Sequence, residues 1–203
     1  VYDLKKMESG LRVFLADAKG HGVNASLSAM LIKSEWAHLN NQDISPGYGL
    51  TILNSLLYER YGDSVSCTAV VADICEDMIV FSSAGHIQQL LIQDTVITDL
   101  EATGPPLGIV AEAEYPEKKI PISGHGRLYL FTDALYEEPD KEGMLVGSDW
   151  LKDTIGSLNS SSEAACEQII NTLALLKGQK PRGLICIDDL TLIAIGLGKK
   201  AQN

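Results

Sequence analysis

Residues 66–82 read Ser-Cys-Thr-Ala-Val-Val-Ala-Asp-Ile-Cys-Glu-Asp-Met-Ile-Val-Phe-Ser, two apolar and β-branched runs split by Cys75-Glu76-Asp77. Runs of this kind predict strands over 66–74 and 78–82. A three-residue link can join only antiparallel neighbours, because parallel strands need a crossover of a dozen or more residues. Upstream, Leu11 to Ala16 predicts another strand, and a glycine-rich turn follows at 17–22. Residues 24–40 have Leu27, Met30, Leu31 and Ala37 near a 3.6-residue period, which predicts a helix. Ser45-Pro46 opens a second helix with the stripe Leu50, Leu53, Leu57 and Tyr61, ended by Gly62.

Downstream, short strands are predicted at 90–93 and 96–100 around Asp94-Thr95, then a Gly/Pro loop at 103–108. Strands at 118–122 and 127–131 follow, then helices at 148–155 and 162–176, and a last strand at 190–195. The second of those helices carries Ala165, Ile169, Leu173 and Leu176 on one face. Strands that follow one another by short turns, with helices in pairs, predict an α+β fold of antiparallel sheets with helix pairs packed on them. A doubly wound parallel sheet is excluded.

The composition bounds the rest. The 203 residues carry 16 Lys+Arg against 27 Asp+Glu, a formal charge of −11, which disfavours a nucleic-acid surface. Hydrophobic residues make up 45%, too many for a disordered chain. No apolar run approaches the roughly 18–20 residues of a membrane-spanning helix. One domain over 1–198 with a tail at 199–203 is expected, its N-terminal edge cut from a longer protein, since the chain starts at Val1 without Met or a signal pattern. Cys67, Cys75, Cys166 and Cys186 form no C-x2-C pair, so neither a zinc site nor a disulfide framework is expected; Cys67, Cys166 and Cys186 read as small core residues.

Three acids share a position type. Asp17 follows L-R-V-F-L-A, Asp133 follows R-L-Y-L-F-T, and Asp188 precedes L-T-L-I-A-I. Carboxylates at strand ends can converge at one rim of a sheet, as Mg²⁺ and Mn²⁺ sites require. Each could equally cap a turn, as Asp commonly does. The hexapeptide Asp17-Ala18-Lys19-Gly20-His21-Gly22 stands out, its glycines permitting tight backbone geometry.

The string A-D-A-K-G-H-G-V-N-A-S-L from Ala16 resembles the D-x-x-G-H-G-x-x-A motif of bacterial serine phosphatases of the stage II sporulation protein E and RsbU type, a branch of the metal-dependent phosphatases related to type 2C enzymes. Ser83-Ala84-Gly85-His86 is similar to that family's N-A-G-H element, and Gly104-Pro105-Pro106-Leu107-Gly108 to its G-x-P-L-G loop. Residues 131–137, F-T-D-A-L-Y-E, resemble Y-T-D-G-x-x-E, and Asp188-Asp189-Leu190-Thr191 resembles the terminal D-D-x-T. The ordered set spans nearly the whole chain.

The resemblance implies a sandwich of two antiparallel sheets flanked by helix pairs. It implies two Mn²⁺ or Mg²⁺ ions, with Asp17 bridging them, the Ala18 carbonyl as a main-chain ligand, and Asp133 and Asp188 as carboxylate ligands. Asp17, Asp133 and Asp188 would thereby be the catalytic acids. Asp189 would orient a ligand or the following strand, and Gly20, His21, Gly22 and His86 would shape and support the site. The implied reaction is hydrolysis of phosphoserine or phosphothreonine on a protein, commonly a STAS-fold anti-sigma-factor antagonist, by a water activated between the two ions. The resemblance further implies a cytoplasmic output domain joined to an upstream sensor or receiver, and it allows a homodimer. A catalytically weak phosphatase-like binding module is the alternative.

Some positions depart from the pattern. Lys19 replaces a small or polar residue; it could neutralise phosphate, but is expected to point to solvent. Ala134 replaces glycine; if that position needs positive φ, Ala costs about 1 kcal/mol. The family's G-G-D element would fall before Val1. His21 could act as a general acid or brace its loop, and His86 reads as a buttress; His38 and His125 read as surface residues. A small-molecule phosphohydrolase would need a basic pocket that the few cations near the motifs do not suggest. No P-loop, dinucleotide fingerprint or Ser-His-Asp order is present.

Overall fold

The hairpin of residues 66–82 is present in the computed structural model, which describes residues 1–158 and 161–198. The elements run β1 (Tyr2–Met7), β2 (Gly10–Ala18), α1 (Gly22–Asn40), α2 (Pro46–Tyr61), β3 (Cys67–Ile74), β4 (Met78–Ala84), β5 (Gln89–Gln93), β6 (Val96–Leu100), β7 (Lys118–Pro121), β8 (Gly126–Phe131), α3 (Asp149–Ser157), α4 (Ser162–Leu176) and β9 (Leu192–Leu197). The α+β class with antiparallel sheets is borne out. The tail expected at 199–203 lies outside the described residues. The chain divides into two compact units, one of residues 1–88 with 101–122, the other of 89–100 with the residues from 123 on.

The first unit is a five-stranded antiparallel sheet in the order β1-β2-β3-β4-β7, with α1 and α2 packed on it. Its core joins Phe14, Ala16, Ala69 and Val71 of the strands to Ile32, Trp36 and Leu39 of α1 and Leu50, Leu53 and Leu57 of α2. Phe14 and Trp36 stack with ring centroids 4.4 Å apart. The α2 stripe is as expected. The α1 stripe is only partly so: Leu31 packs against the core, but Leu27, Met30 and Ala37 are exposed, and Ile32, Trp36 and Leu39 are buried instead. Both sets satisfy helical spacing, and the larger area of Trp36 against Phe14 decides which one turns inward.

The strand β1 has no counterpart in the sequence reading because its alternation is inverted. Tyr2 and Leu4 are exposed, whereas Asp3 and Lys5 are partly buried. Asn40, at the end of α1, takes both: its side-chain amide donates to Asp3 Oδ2 at 2.9 Å, and its carbonyl accepts from Lys5 Nζ.

The buried pair Arg12–Asp73 locks β2 to β3. The two residues face each other in the ladder, with Nε to Oδ1 and Nη2 to Oδ2 both at 2.6 Å. Nη2 also donates to the Ile44 carbonyl at 2.6 Å, tying the sheet to the α1–α2 turn.

The second unit is a four-stranded antiparallel sheet, β6-β5-β8-β9, with α4 against β9 and α3 against α4. Asp94 turns the β5–β6 hairpin with φ 53°, a conformation that Asp tolerates better than most residues. The buried Gln89 side chain continues the β5–β8 ladder: its Oε1 accepts from the Phe131 N–H at 2.6 Å and its Nε2 donates to the Phe131 carbonyl at 3.2 Å. Strand β9 starts at Leu192, two residues later than expected, so Asp188 lies in irregular backbone ahead of it. All four cysteines are free, and only Cys67 is buried; Cys166 and Cys186 are partly exposed, not core residues.

Arg12→Met should destabilise the fold by about 3–5 kcal/mol, because it strands the Asp73 carboxylate. Arg12→Met/Asp73→Leu should recover most of that loss in urea denaturation. A single variant as stable as the native chain would refute the locking role.

Candidate active site

In the first unit, Asp17 is the penultimate residue of β2, half-buried, and opposite Thr68 of β3. Thr68 Oγ1 shares a hydrogen bond with Nδ1 of His86 at 2.7 Å, and His86 is buried. His86 thus braces the strand beside Asp17. Ala18 ends β2 opposite Cys67, and the Lys19 N–H extends the pairing to the Ser66 carbonyl at 3.0 Å. Burial first, and then the Asp17 charge, push the Cys67 thiol up to about 12. Cys67 therefore stays protonated at neutral pH.

The loop from β2 into α1 turns at Gly20 and Gly22, with φ 92° and 75°. His21 between them is exposed, stands at the N-cap of α1 in extended backbone, and makes no side-chain capping bond. Lys19 is exposed, as expected.

Two further motifs interlock in this unit. The Gly85 N–H donates to the Gly104 carbonyl at 2.7 Å, and the Thr103 and Gly104 N–H groups donate to the Ser83 carbonyl at 2.8 and 3.1 Å. Gly85 has φ 60°, and a Cβ there would lie 2.5 Å from the Pro106 ring. Leu107 and Cys67 exchange both backbone hydrogen bonds. On the helix side the buried Asn54 accepts from the Gly108 N–H at 2.9 Å and donates to the Val110 carbonyl at 2.8 Å.

In the second unit, Asp133 opens a single 3₁₀ turn, Asp133–Leu135, directly after β8 and Thr132. Ala134 in that turn is buried, and the positive-φ residues other than glycine are Asp94 and Arg182 alone among the described residues. The position therefore needs no left-handed backbone, and the substitution for glycine carries no strain of that kind. Thr132 clamps the last motif to this turn: its Oγ1 donates to the Asp189 carbonyl at 3.0 Å and accepts from the Thr191 N–H at 3.0 Å. The segments holding Asp133 and Asp188 are thus neighbours. Asp188 is exposed, with Oδ1 accepting from the Asp189 N–H at 2.7 Å.

Glu138 is a residue that the sequence reading missed. It is buried, pairs with Lys177, and accepts from the Ile187 N–H at 2.6 Å and the Asp188 N–H at 3.3 Å. Burial pushes its carboxyl up, but Lys177 and the two N–H groups outweigh this and hold it below the usual range. No sequence signal pairs Glu138 with Lys177. The clamp by Thr132 was signalled only by the threonine each motif contains.

Among the described residues, no three or more His, Cys, Asp or Glu side chains are grouped so as to hold a metal ion. The donor types do fit one: Asp17, Asp133 and Asp188 offer hard carboxylate oxygens, the preferred ligands of Mg²⁺ and Mn²⁺.

Comparisons with known proteins agree with these motifs. The sequence model of the stage II sporulation protein E (SpoIIE) family matches residues 7–197. The chain is similar to phosphoserine phosphatase RsbU of Bacillus subtilis, 26% identical over 198 residues, which cover 96% of this chain and 58% of the relative. It is also 26% identical over 132 residues to phosphoserine phosphatase RsbP of the same organism, covering 62% of this chain and 33% of that protein. The chain thus spans little more than half of the one curated relative and a third of the other. Among solved structures, the PP2C domain of SiaA from Pseudomonas aeruginosa superposes with a TM-score of 0.84 at 19% identity, covering 97% of this chain and 80% of that one. The fold is that of the type 2C phosphatases.

Gly85→Ala should cost about 2–3 kcal/mol, since strained φ and the Pro106 contact act together, whereas Gly20→Ala, with open space around it, should cost about 1 kcal/mol. Thermal melts of the two variants check the ranking, and equal costs would count against the interlock.

Proposed function

The chain belongs to the stage II sporulation protein E family, and from that premise we propose that it is a metal-dependent protein serine/threonine phosphatase. Its substrate class is phosphoserine or phosphothreonine on a signalling protein, a STAS-fold anti-sigma-factor antagonist. Residues 1–198 are taken as one phosphatase domain, working in the cytoplasm as the output of a longer chain with an upstream sensor. No helix among the described residues is long and apolar enough to cross a membrane.

The observation that carries this reading is the pairing of two motifs by one side chain. Thr132 bonds the backbone at Asp189 and Thr191, so the F-T-D and D-D-L-T elements behave as one unit, as a shared role for Asp133 and Asp188 requires. The motif match extends that role to Asp17, which His86 and Thr68 support through the adjacent strand.

Two divalent cations, Mn²⁺ or Mg²⁺, would be held by the carboxylates of Asp17, Asp133 and Asp188 and the Ala18 carbonyl. When bound, such ions lower the pKa of a water and neutralise phosphate charge for in-line displacement. Asp17 would serve both ions. Asp189 keeps the Asp188 carboxylate oriented by donating its N–H. His86, hydrogen-bonded and buried, keeps Thr68 in place as a buttress. The exposed His21 is free of any capping bond and available to a leaving serine oxygen. Ala134 lies in right-handed 3₁₀ backbone without strain, which removes one of the two features that left a binding module without catalysis open, the other being the G-G-D element that would fall before Val1.

Phosphate release from a phosphoserine STAS protein should require Mn²⁺ or Mg²⁺ and stop on chelation. Asp17→Asn should lower turnover at least about 100-fold while leaving the thermal melt intact. Metal-independent turnover, or full activity of Asp17→Asn, would sink the assignment.

A further inference from the structure

The second unit buries one carboxylate that belongs to none of the five motifs. Glu138 is 2% exposed. Its Oε2 meets Lys177, the residue that caps α4, and the side chains of both are almost fully enclosed. Its Oε1 accepts from two successive backbone groups, the N–H of Ile187 at 2.6 Å and that of Asp188 at 3.3 Å. The Glu138 carbonyl accepts from the Val146 N–H at 3.0 Å, so the residue is fixed by its main chain as well.

The segment being held contrasts with the group that holds it. Ile187 is 81% exposed, Asp188 is exposed, and residues 184–191 form no regular structure. At residues 187 and 188 themselves, packing of side chains therefore contributes little to where the backbone runs. A pair serving only to fasten α4 to the turn after β8 would need no bond to residues 187 and 188. The free carboxylate oxygen of Glu138 goes to those two amides.

We propose that Glu138 is a positioning residue for Asp188: anchored by Lys177, its carboxylate fixes the 187–188 backbone and so sets how the Asp188 carboxylate meets a divalent cation. This rests on the reading of Asp188 as a metal ligand. Hydrogen-bonding partners that orient a ligand from behind typically change metal affinity about 10- to 100-fold when removed.

The test measures Mn²⁺ binding to the whole chain by the electron paramagnetic resonance signal of free Mn²⁺, alongside phosphoserine turnover. Glu138→Leu/Lys177→Met replaces the pair by apolar groups of similar size, leaving no unpaired charge, and should weaken Mn²⁺ binding about 10- to 100-fold. Glu138→Gln/Lys177→Met keeps an acceptor for the two amides and should stay within about 3-fold of the native chain. A leucine variant that binds Mn²⁺ like the native chain, or a glutamine variant as weak as the leucine one, overturns the proposal. Asp188→Asn separates the two readings. If it binds Mn²⁺ normally, the ligand assignment falls and this proposal with it; if it is weakened while the leucine variant is not, only the positioning role falls. Amide hydrogen exchange on the native chain decides the matter even if the variants do not fold. The Ile187 and Asp188 amides should be protected despite their exposed side chains, and exchange at the unstructured rate overturns the proposal.

Discussion

The bidentate contact between Arg12 and Asp73 is the constraint on which the first unit depends. Side chains alternate along a strand, so slipping β2 by one residue against β3 would send every side chain to the opposite face. Arg12 shares its face with Phe14 and Ala16, the residues that meet α1 and α2. It also reaches the Ile44 carbonyl in the turn between those helices. A slipped register would leave a guanidinium and a carboxylate buried apart, at a cost of several kcal/mol. The same alternation puts Asp17 on the face away from Phe14, beside Thr68 and its partner His86. An ion pair five residues upstream thus determines which way the candidate ligand points.

Elsewhere, buried polar side chains do the work of backbone where regular pairing runs out. Gln89 takes both polar groups of Phe131. Thr132 continues the β8–β9 pairing through its hydroxyl, one step past the last residue of β8. Asn54 satisfies the loop between Gly108 and Val110 from a helix. Each is placed where an unpaired amide or carbonyl would otherwise be buried at a cost of about 1–3 kcal/mol.

How much of this was legible in the sequence follows from which interactions are local. The β3–β4 and β5–β6 hairpins, α2 and α4 announce themselves by period and turn chemistry, all within a few residues. The inward face of α1 does not, because two stripes compete and the winner is decided by Phe14, a residue on another element. The strand β1 carries its apolar residues outward and its polar ones toward Asn40, opposite to what alternation leads one to expect. Glu138 reads as one more acid after Glu137, and only the fold brings Lys177 to it. Motif spacing located Asp17, Asp133 and Asp188, while the groups that orient them are the long-range part.

The two departures from family glycine and small-residue positions show why a motif letter must be weighed by its backbone. At Gly85, φ is 60° and the Pro106 ring fills the space where a Cβ would go, so conformation and contact both demand glycine. At Ala134 the chain is in a right-handed turn, and the methyl group is buried. A glycine there would add flexibility to the turn immediately after Asp133, at a conformational cost of roughly 0.5–1 kcal/mol in such backbone. Alanine at this position therefore restricts the turn that carries Asp133. Lys19 is the milder case: it is exposed, and its backbone N–H makes the Ser66 bond that any residue but proline could make. Neither substitution disturbs the backbone on which the candidate ligands stand.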